Sequence, residues 1–199
     1  MGIGWNLTDC NQPLSVWGLP EEVNPETGRS CTVWLPAGLV IPTTRNDLVT
    51  AIKIRRTAWT PEDPFAKYLA VRGGSQSPFV LDSEPGKPVV VVESELDAVL
   101  ISQEAGDLAT AVALGTARGK PDEAAMALLK AAPVILVALD FDEAGKAAWP
   151  WWKETFRTSV LWPVPVGKDV GDLLGIPRLM RAWIEKGIPS TGPPATFTR

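Results

Sequence analysis

Two short apolar runs, each ending abruptly in carboxylates, constrain this chain more than any other feature. The first is Val89-Val90-Val91-Val92-Glu93-Ser94-Glu95-Leu96-Asp97. The second runs from Val134 through Leu139 into Asp140-Phe141-Asp142-Glu143-Ala144-Gly145. Both are continuously apolar and rich in β-branched residues, the signature of strands buried on both faces of a parallel sheet. Each is followed by a segment able to start a helix. Ligands of open α/β sheets bind beyond the carboxyl ends of the strands. Glu93, Asp140 and Asp142 are therefore expected to meet in one place, where their charges repel unless a hard, oxygen-seeking cation such as Mg²⁺ joins them.

Composition removes several alternatives. The chain has 199 residues, 45% of them hydrophobic and 21% charged, as in an ordinary globular protein. It contains no histidine, which excludes Ser-His-Asp and Cys-His catalysis and histidine metal ligands together. Chemistry must then rest on carboxylates, Lys, Arg, Tyr68 or a bound metal. Cys10 and Cys31 are the only cysteines, too few without histidine to build a zinc site. No run approaches the roughly 20 apolar residues that cross a bilayer, and the first residues lack a signal-peptide pattern, so no membrane partner and a cytoplasmic location are expected. A net charge of −4 argues against non-specific coating of nucleic acid, yet it leaves room for a local basic groove.

Along the chain, residues 1–87 read as a β-rich subdomain, with strands at 32–35, 38–42 and 48–54 separated by Pro, Gly, Asn and Thr-Thr punctuation. Residues 45–75 hold six basic residues, Arg45, Lys53, Arg55, Arg56, Lys67 and Arg72, against three acidic ones. From residue 88 to 176 the rhythm becomes strand, helix, strand, helix. The spacing predicts strands at 88–93, 110–114, 134–140 and 159–162 and helices at 95–105, 121–131 and 143–156. Ser94 is the expected N-cap of the first helix, and Pro121 the expected first residue of the second. Gly167-Lys168-Asp169-Val170-Gly171-Asp172 places a third acidic point after a strand. A C-terminal helix is expected over 177–187 and a loose tail over 188–199. Trp149, Trp151, Trp152 and Trp183 are read as packing residues rather than a stacking platform.

A glutamate closing one strand and an Asp-x-Asp-x-x-Gly sequence closing a later one resemble the Toprim domain. The match narrows to the catalytic core of bacterial-type (DnaG-like) DNA primases. Their Glu-Gly-x-x-Asp corresponds to Glu93-Ser94-Glu95-Leu96-Asp97, their Asp-x-Asp-x-Ala-Gly to Asp140 through Gly145, and their Gly-Lys-Asp to Gly167-Lys168-Asp169. Upstream, Ile54-Arg55-Arg56 and Lys67-Tyr68-Leu69 stand where that family has Gly-Arg and Lys-Tyr-Leu. The resemblance covers roughly residues 38–175. Val92 through Asp97 and Arg181 through Gly187 look most similar to phage- or plasmid-type primases and primase-helicases. Two departures stand out: Ser94 replaces a glycine, and Val170-Gly171-Asp172 replaces Pro-Asp, which displaces the last carboxylate by one residue.

The resemblance implies an α/β fold: a Toprim-type parallel sheet flanked by helices, preceded by a smaller mixed α+β, β-rich subdomain. It implies template-directed synthesis of RNA primers on single-stranded DNA from ribonucleoside triphosphates, with Mg²⁺ or Mn²⁺ and with a replicative helicase as partner or fused domain. Glu93, Asp140 and Asp142 would be catalytic and metal-binding, Asp169 and Asp172 further ligands, and Asp97 a second layer behind them. Arg55, Arg56, Lys67, Tyr68, Arg72 and Lys168 would contact template or nucleotide. Two rival readings use the same residues: a Toprim nuclease that hydrolyses phosphodiesters, and a DNA-binding remnant without catalysis.

Overall fold

The computed structural model describes residues 2–189 of the chain; the expected tail beyond Pro189 lies outside the described residues. One compact unit runs to Ser77 and a second begins at Pro78.

The first unit is built from strands. β1 (Gly4–Asn6), β4 (Gly38–Arg45), β5 (Leu48–Arg56) and β6 (Tyr68–Ala70) form an antiparallel sheet in the order β1-β4-β5-β6. β2 (Cys10–Pro13) and β3 (Thr32–Leu35) pair as a separate two-stranded ribbon. β4 and β5 are longer than the sequence pattern indicates: β4 continues past Pro42 through Thr43-Thr44 to Arg45, and β5 continues through Arg55-Arg56. β1 pairs only as far as Val40, so Pro42 lies where β4 is an edge and its missing N–H breaks no ladder. Asn46 and Asp47, at φ 49° and 62°, make the tight two-residue hairpin turn that right-twisted strands favour. Leu14, Val33, Leu35, Ile54 and Val71 form this unit's core. Cys10 and Cys31 are free thiols packed against it.

The second unit carries a five-stranded sheet in the order β11-β10-β8-β9-β7. β8 (Val89–Val92), β9 (Thr110–Ala113), β10 (Ile135–Val137) and β11 (Ser159–Leu161) are parallel, in line with the expected four strands. β7 (Phe79–Leu81) joins antiparallel to β9, so the second unit begins ahead of residue 88. Val89 to Val92 and Ile135 to Leu136 are 0% exposed, each burial contributing about 2 kcal/mol. The connecting helices are α1 (Glu95–Ala105), α2 (Glu123–Ala131) and α3 (Glu143–Thr155), with α4 (Pro177–Gly187) closing the unit. α2 starts later than the sequence predicts: the Asp122 carboxylate, not Pro121, begins it by accepting the Ala125 N–H at 2.9 Å. Trp152 is fully buried against Phe156 and Trp151, and Trp183 is 6% exposed, so both are packing residues. Among the described residues no helix is long and apolar enough to cross a membrane.

Candidate active site

Two strand ends and one loop of the second unit assemble the site. β8 delivers Glu93. Ser94 then caps α1, its Oγ accepting the Asp97 N–H at 3.2 Å and donating to Asp97 Oδ2 at 2.8 Å. This reciprocal pair turns Asp97 inward, where it is only 7% exposed. Glu95 is buried as well.

β10 delivers Asp140, and the chain turns at once so that Asp142 caps α3. Asp142 Oδ1 accepts the N–H groups of Ala144 and Gly145 at 3.0 and 3.1 Å. The turn is tight: a Cβ on Gly145 would collide with the backbone oxygen of Asp140. That contact explains why the pattern Asp-x-Asp-x-x ends in glycine. The cap spends one carboxylate oxygen and leaves Oδ2 facing outward.

The loop after β11 folds back onto this turn. The Phe141 N–H donates to the Lys168 carbonyl at 2.9 Å. Val170 and Leu173, each 1% exposed, anchor the loop as a short 3-10 helix over Val170–Leu173. Asp169 and Asp172 cap each other's backbone: Asp169 Oδ1 accepts the Asp172 N–H at 3.2 Å, and Asp172 Oδ2 accepts the Asp169 N–H at 3.5 Å and the Lys168 N–H at 2.7 Å. The loop thereby brings the Lys168 ammonium to 2.9 Å from Asp140 Oδ2 and 3.2 Å from Asp142 Oδ2. Sequence reasoning placed Lys168 beside the acids but not between two of them.

Electrostatics separates these acids. Burial, and then the neighbouring Asp140 charge, push Glu93 above the ordinary glutamate value. Burial pushes Asp97 up to about 6 against the opposing hydrogen bond from Ser94. Asp142 is held below the ordinary value by the Gly145 N–H and then by Lys168. Lys168 is held firmly protonated by its bonds to Asp140 and Asp142. Among the described residues no three acids gather closely enough to hold a metal by themselves; the convergence is that of two carboxylate oxygens. Phe141, between the two aspartates, is 48% exposed with the Lys146 ammonium 4.3 Å from its ring centre. Neither residue is legible as a site residue in the sequence, because an aromatic next to acids carries no signal without the turn.

The basic candidates of the first unit differ among themselves. Arg56 is committed: it binds Asp63 through two bonds of 2.8 and 2.6 Å and lies over the Trp34 ring at 5.3 Å. Arg72 pairs with Glu22 through bonds of 3.0 and 2.6 Å, both partners about half exposed. Arg55 and Tyr68 are directly opposite on β5 and β6, so they share one face of the sheet with Lys53. Lys67 is exposed, its ammonium 5.9 Å from the Trp59 ring.

No protein-family model matches the chain, and no curated protein matches it. Solved structures do. A DNA primase domain from Pseudomonas aeruginosa matches with a TM-score of 0.63 and 19% identity, over 92% of this chain and 65% of its own. The RNA polymerase domain of Mycobacterium tuberculosis primase DnaG, in complex with a double-stranded DNA oligomer bearing a 6-nucleotide overhang, matches with a TM-score of 0.60 and 17% identity, over 89% of this chain and 66% of its own. A DnaG primase catalytic domain bound to single-stranded DNA matches with a TM-score of 0.57 and 19% identity, over 83% and 57%. This chain spans less than two thirds of the length of each of these three. The likeness shows the fold: this chain has the architecture of DnaG-type primase catalytic cores.

Proposed function

We propose that this chain is the catalytic core of a DNA primase of the phage- or plasmid-borne type, joining ribonucleotides on a single-stranded DNA template. The observation that carries the reading is the convergence of Asp140 Oδ2 and Asp142 Oδ2 on one positive charge, in a fold shared with primase cores.

The donor set fits a hard divalent cation. It is all carboxylate oxygen, and Mg²⁺ binds through one or two carboxylates together with water and substrate phosphates rather than in an all-protein cage. Asp140 and Asp142 would hold Mg²⁺ or Mn²⁺, with Asp169 nearby as a further ligand. Asp172, with Oδ2 given to the Lys168 N–H, serves the loop first. When bound, the ion would supply charge stabilisation on the phosphates and a more acidic attacking hydroxyl.

Glu93, raised by burial, is the carboxylate best suited to take the proton of the attacking 3′-hydroxyl. Asp97, held in place by Ser94, positions the loop from behind by accepting a hydrogen bond from the Gly171 backbone. Arg55, Lys67 and Tyr68 would follow the template, two cations for phosphates and one ring for a base. Arg72 can join them at little cost, since exposed ion pairs are weak. Arg56 fixes its own loop through Asp63.

Incubation with labelled ribonucleotides and single-stranded DNA, with Mg²⁺ or Mn²⁺, tests the reading. Short labelled products are expected from the wild type and none from D140N/D142N. Cleavage of end-labelled template without such products would instead identify a nuclease.

A further inference from the structure

Lys168 is a cation fixed where two carboxylates require one. Its backbone is tied on both sides: the N–H donates to Asp172 Oδ2 at 2.7 Å, and the carbonyl accepts the Phe141 N–H at 2.9 Å. Gly167 turns the chain ahead of it at φ 82°, where a side chain would be strained. The second of those bonds comes from the residue between Asp140 and Asp142, so loop and acidic turn move together. The side chain beyond is free to leave, being 53% exposed. Its ammonium spans both carboxylates, at 2.9 and 3.2 Å. A single exposed ion pair contributes little; one ammonium between two like charges also removes their mutual repulsion.

We infer that Lys168 is a resident cation that competes with the divalent ion for Asp140 and Asp142 and is displaced onto the phosphates when that ion arrives with a triphosphate. The inference rests on the proposed metal-binding role of these two aspartates. A bare divalent ion must expel the ammonium from both aspartates and leave it beside a dication. An ion carrying a triphosphate brings phosphate oxygens that accept the expelled ammonium. Lys168 thus weakens binding of the free metal and makes metal and nucleotide reinforce each other, a coupling that must act equally in both directions.

The test is Mn²⁺ binding to the full chain, followed by the electron paramagnetic resonance signal of free Mn²⁺. It compares wild type, K168M, K168R and D140N/D142N, each with and without a non-hydrolysable ribonucleoside triphosphate. K168M is expected to bind Mn²⁺ alone about five- to tenfold more tightly than wild type. The triphosphate should then raise its Mn²⁺ affinity less than it raises that of the wild type. K168R, which keeps the charge, should behave as wild type. An unchanged or weaker Mn²⁺ affinity in K168M would overturn the inference. If D140N/D142N abolishes binding while K168M has no effect, Lys168 is only a surface partner and the metal assignment stands. If binding survives D140N/D142N undiminished, the ion sits elsewhere, and the proposed function falls together with this inference.

Discussion

At the end of β8 the following helix is capped by a serine; at the end of β10 it is capped by an aspartate. That one difference gives two similar strand-turn-helix units opposite characters. In the first, Ser94 does the capping and holds Asp97 inside, so Asp97 is 7% exposed and pushed up to about 6 by burial. In the second, Asp142 gives one oxygen to the helix and presents the other to Lys168 with 43% of its side chain exposed. Helix N–H groups hold it charged. The first turn holds its acid inside, where burial raises its proton affinity, and the second presents its acid to a cation. A shared backbone plan therefore does not make the acids interchangeable; the capping residue decides which of them is held inside and which is presented to a cation.

The two turns should differ most in catalysis. Asp140→Asn or Asp142→Asn should lower ribonucleotide incorporation by at least about a hundredfold, read on a primer-synthesis gel, whereas Ser94→Ala should cost less than tenfold. Equal losses would mean that the two turns are not specialised.

The next effect is on stability. Gly145→Ala should destabilise the fold by about 3 kcal/mol in urea unfolding, because its Cβ has no room beside the Asp140 carbonyl. Ser94→Ala should cost only about 1 kcal/mol, the loss of a cap.

The turns should also respond to pH with opposite sign. Asp97 binds its proton more tightly folded than unfolded, so its contribution to stability is fully present below about pH 4 and lost as pH rises through 6. The loss amounts to about 2–3 kcal/mol, and Asp97→Asn should flatten that part of a stability-pH profile. Asp142, held below its ordinary 3.8, contributes stability present above that value and lost as pH falls through its lowered folded value. Asp142→Asn should flatten the acid limb instead.

The smallest effect concerns the first unit. Lys67→Gln should weaken single-stranded DNA binding modestly and reduce the slope of log affinity against log salt by about one. Arg56→Gln, whose guanidinium is bound to Asp63, should act on stability rather than on that slope.

Much of the second unit is legible in the sequence because its strands are buried on both faces, and β-branched runs such as Val89 to Val92 have no other stable home. Glu93, Asp140 and Asp142 are legible for the same reason: a charge that ends a buried run must stand at the sheet's rim. β7 is not legible, since three residues give no periodicity and its pairing with β9 is a tertiary event. The passage of β4 through Pro42-Thr43-Thr44 is hidden because those residues read as a break unless the open edge beside Pro42 is known. Lys168 and Asp97 are the instructive cases at the site. Their roles depend on Val170 and Leu173 pulling the loop inward, a contact that neither local pattern nor spacing records.

Anomalous X-ray scattering from crystals grown with Mn²⁺ and a non-hydrolysable ribonucleoside triphosphate shows whether the second turn alone takes a cation. A peak between the outward oxygens of Asp140 and Asp142, with the Lys168 ammonium moved toward the phosphates, is the predicted result. A peak centred on the Glu93–Asp97 turn, or none beside Asp140 and Asp142 with the nucleotide bound, would contradict it.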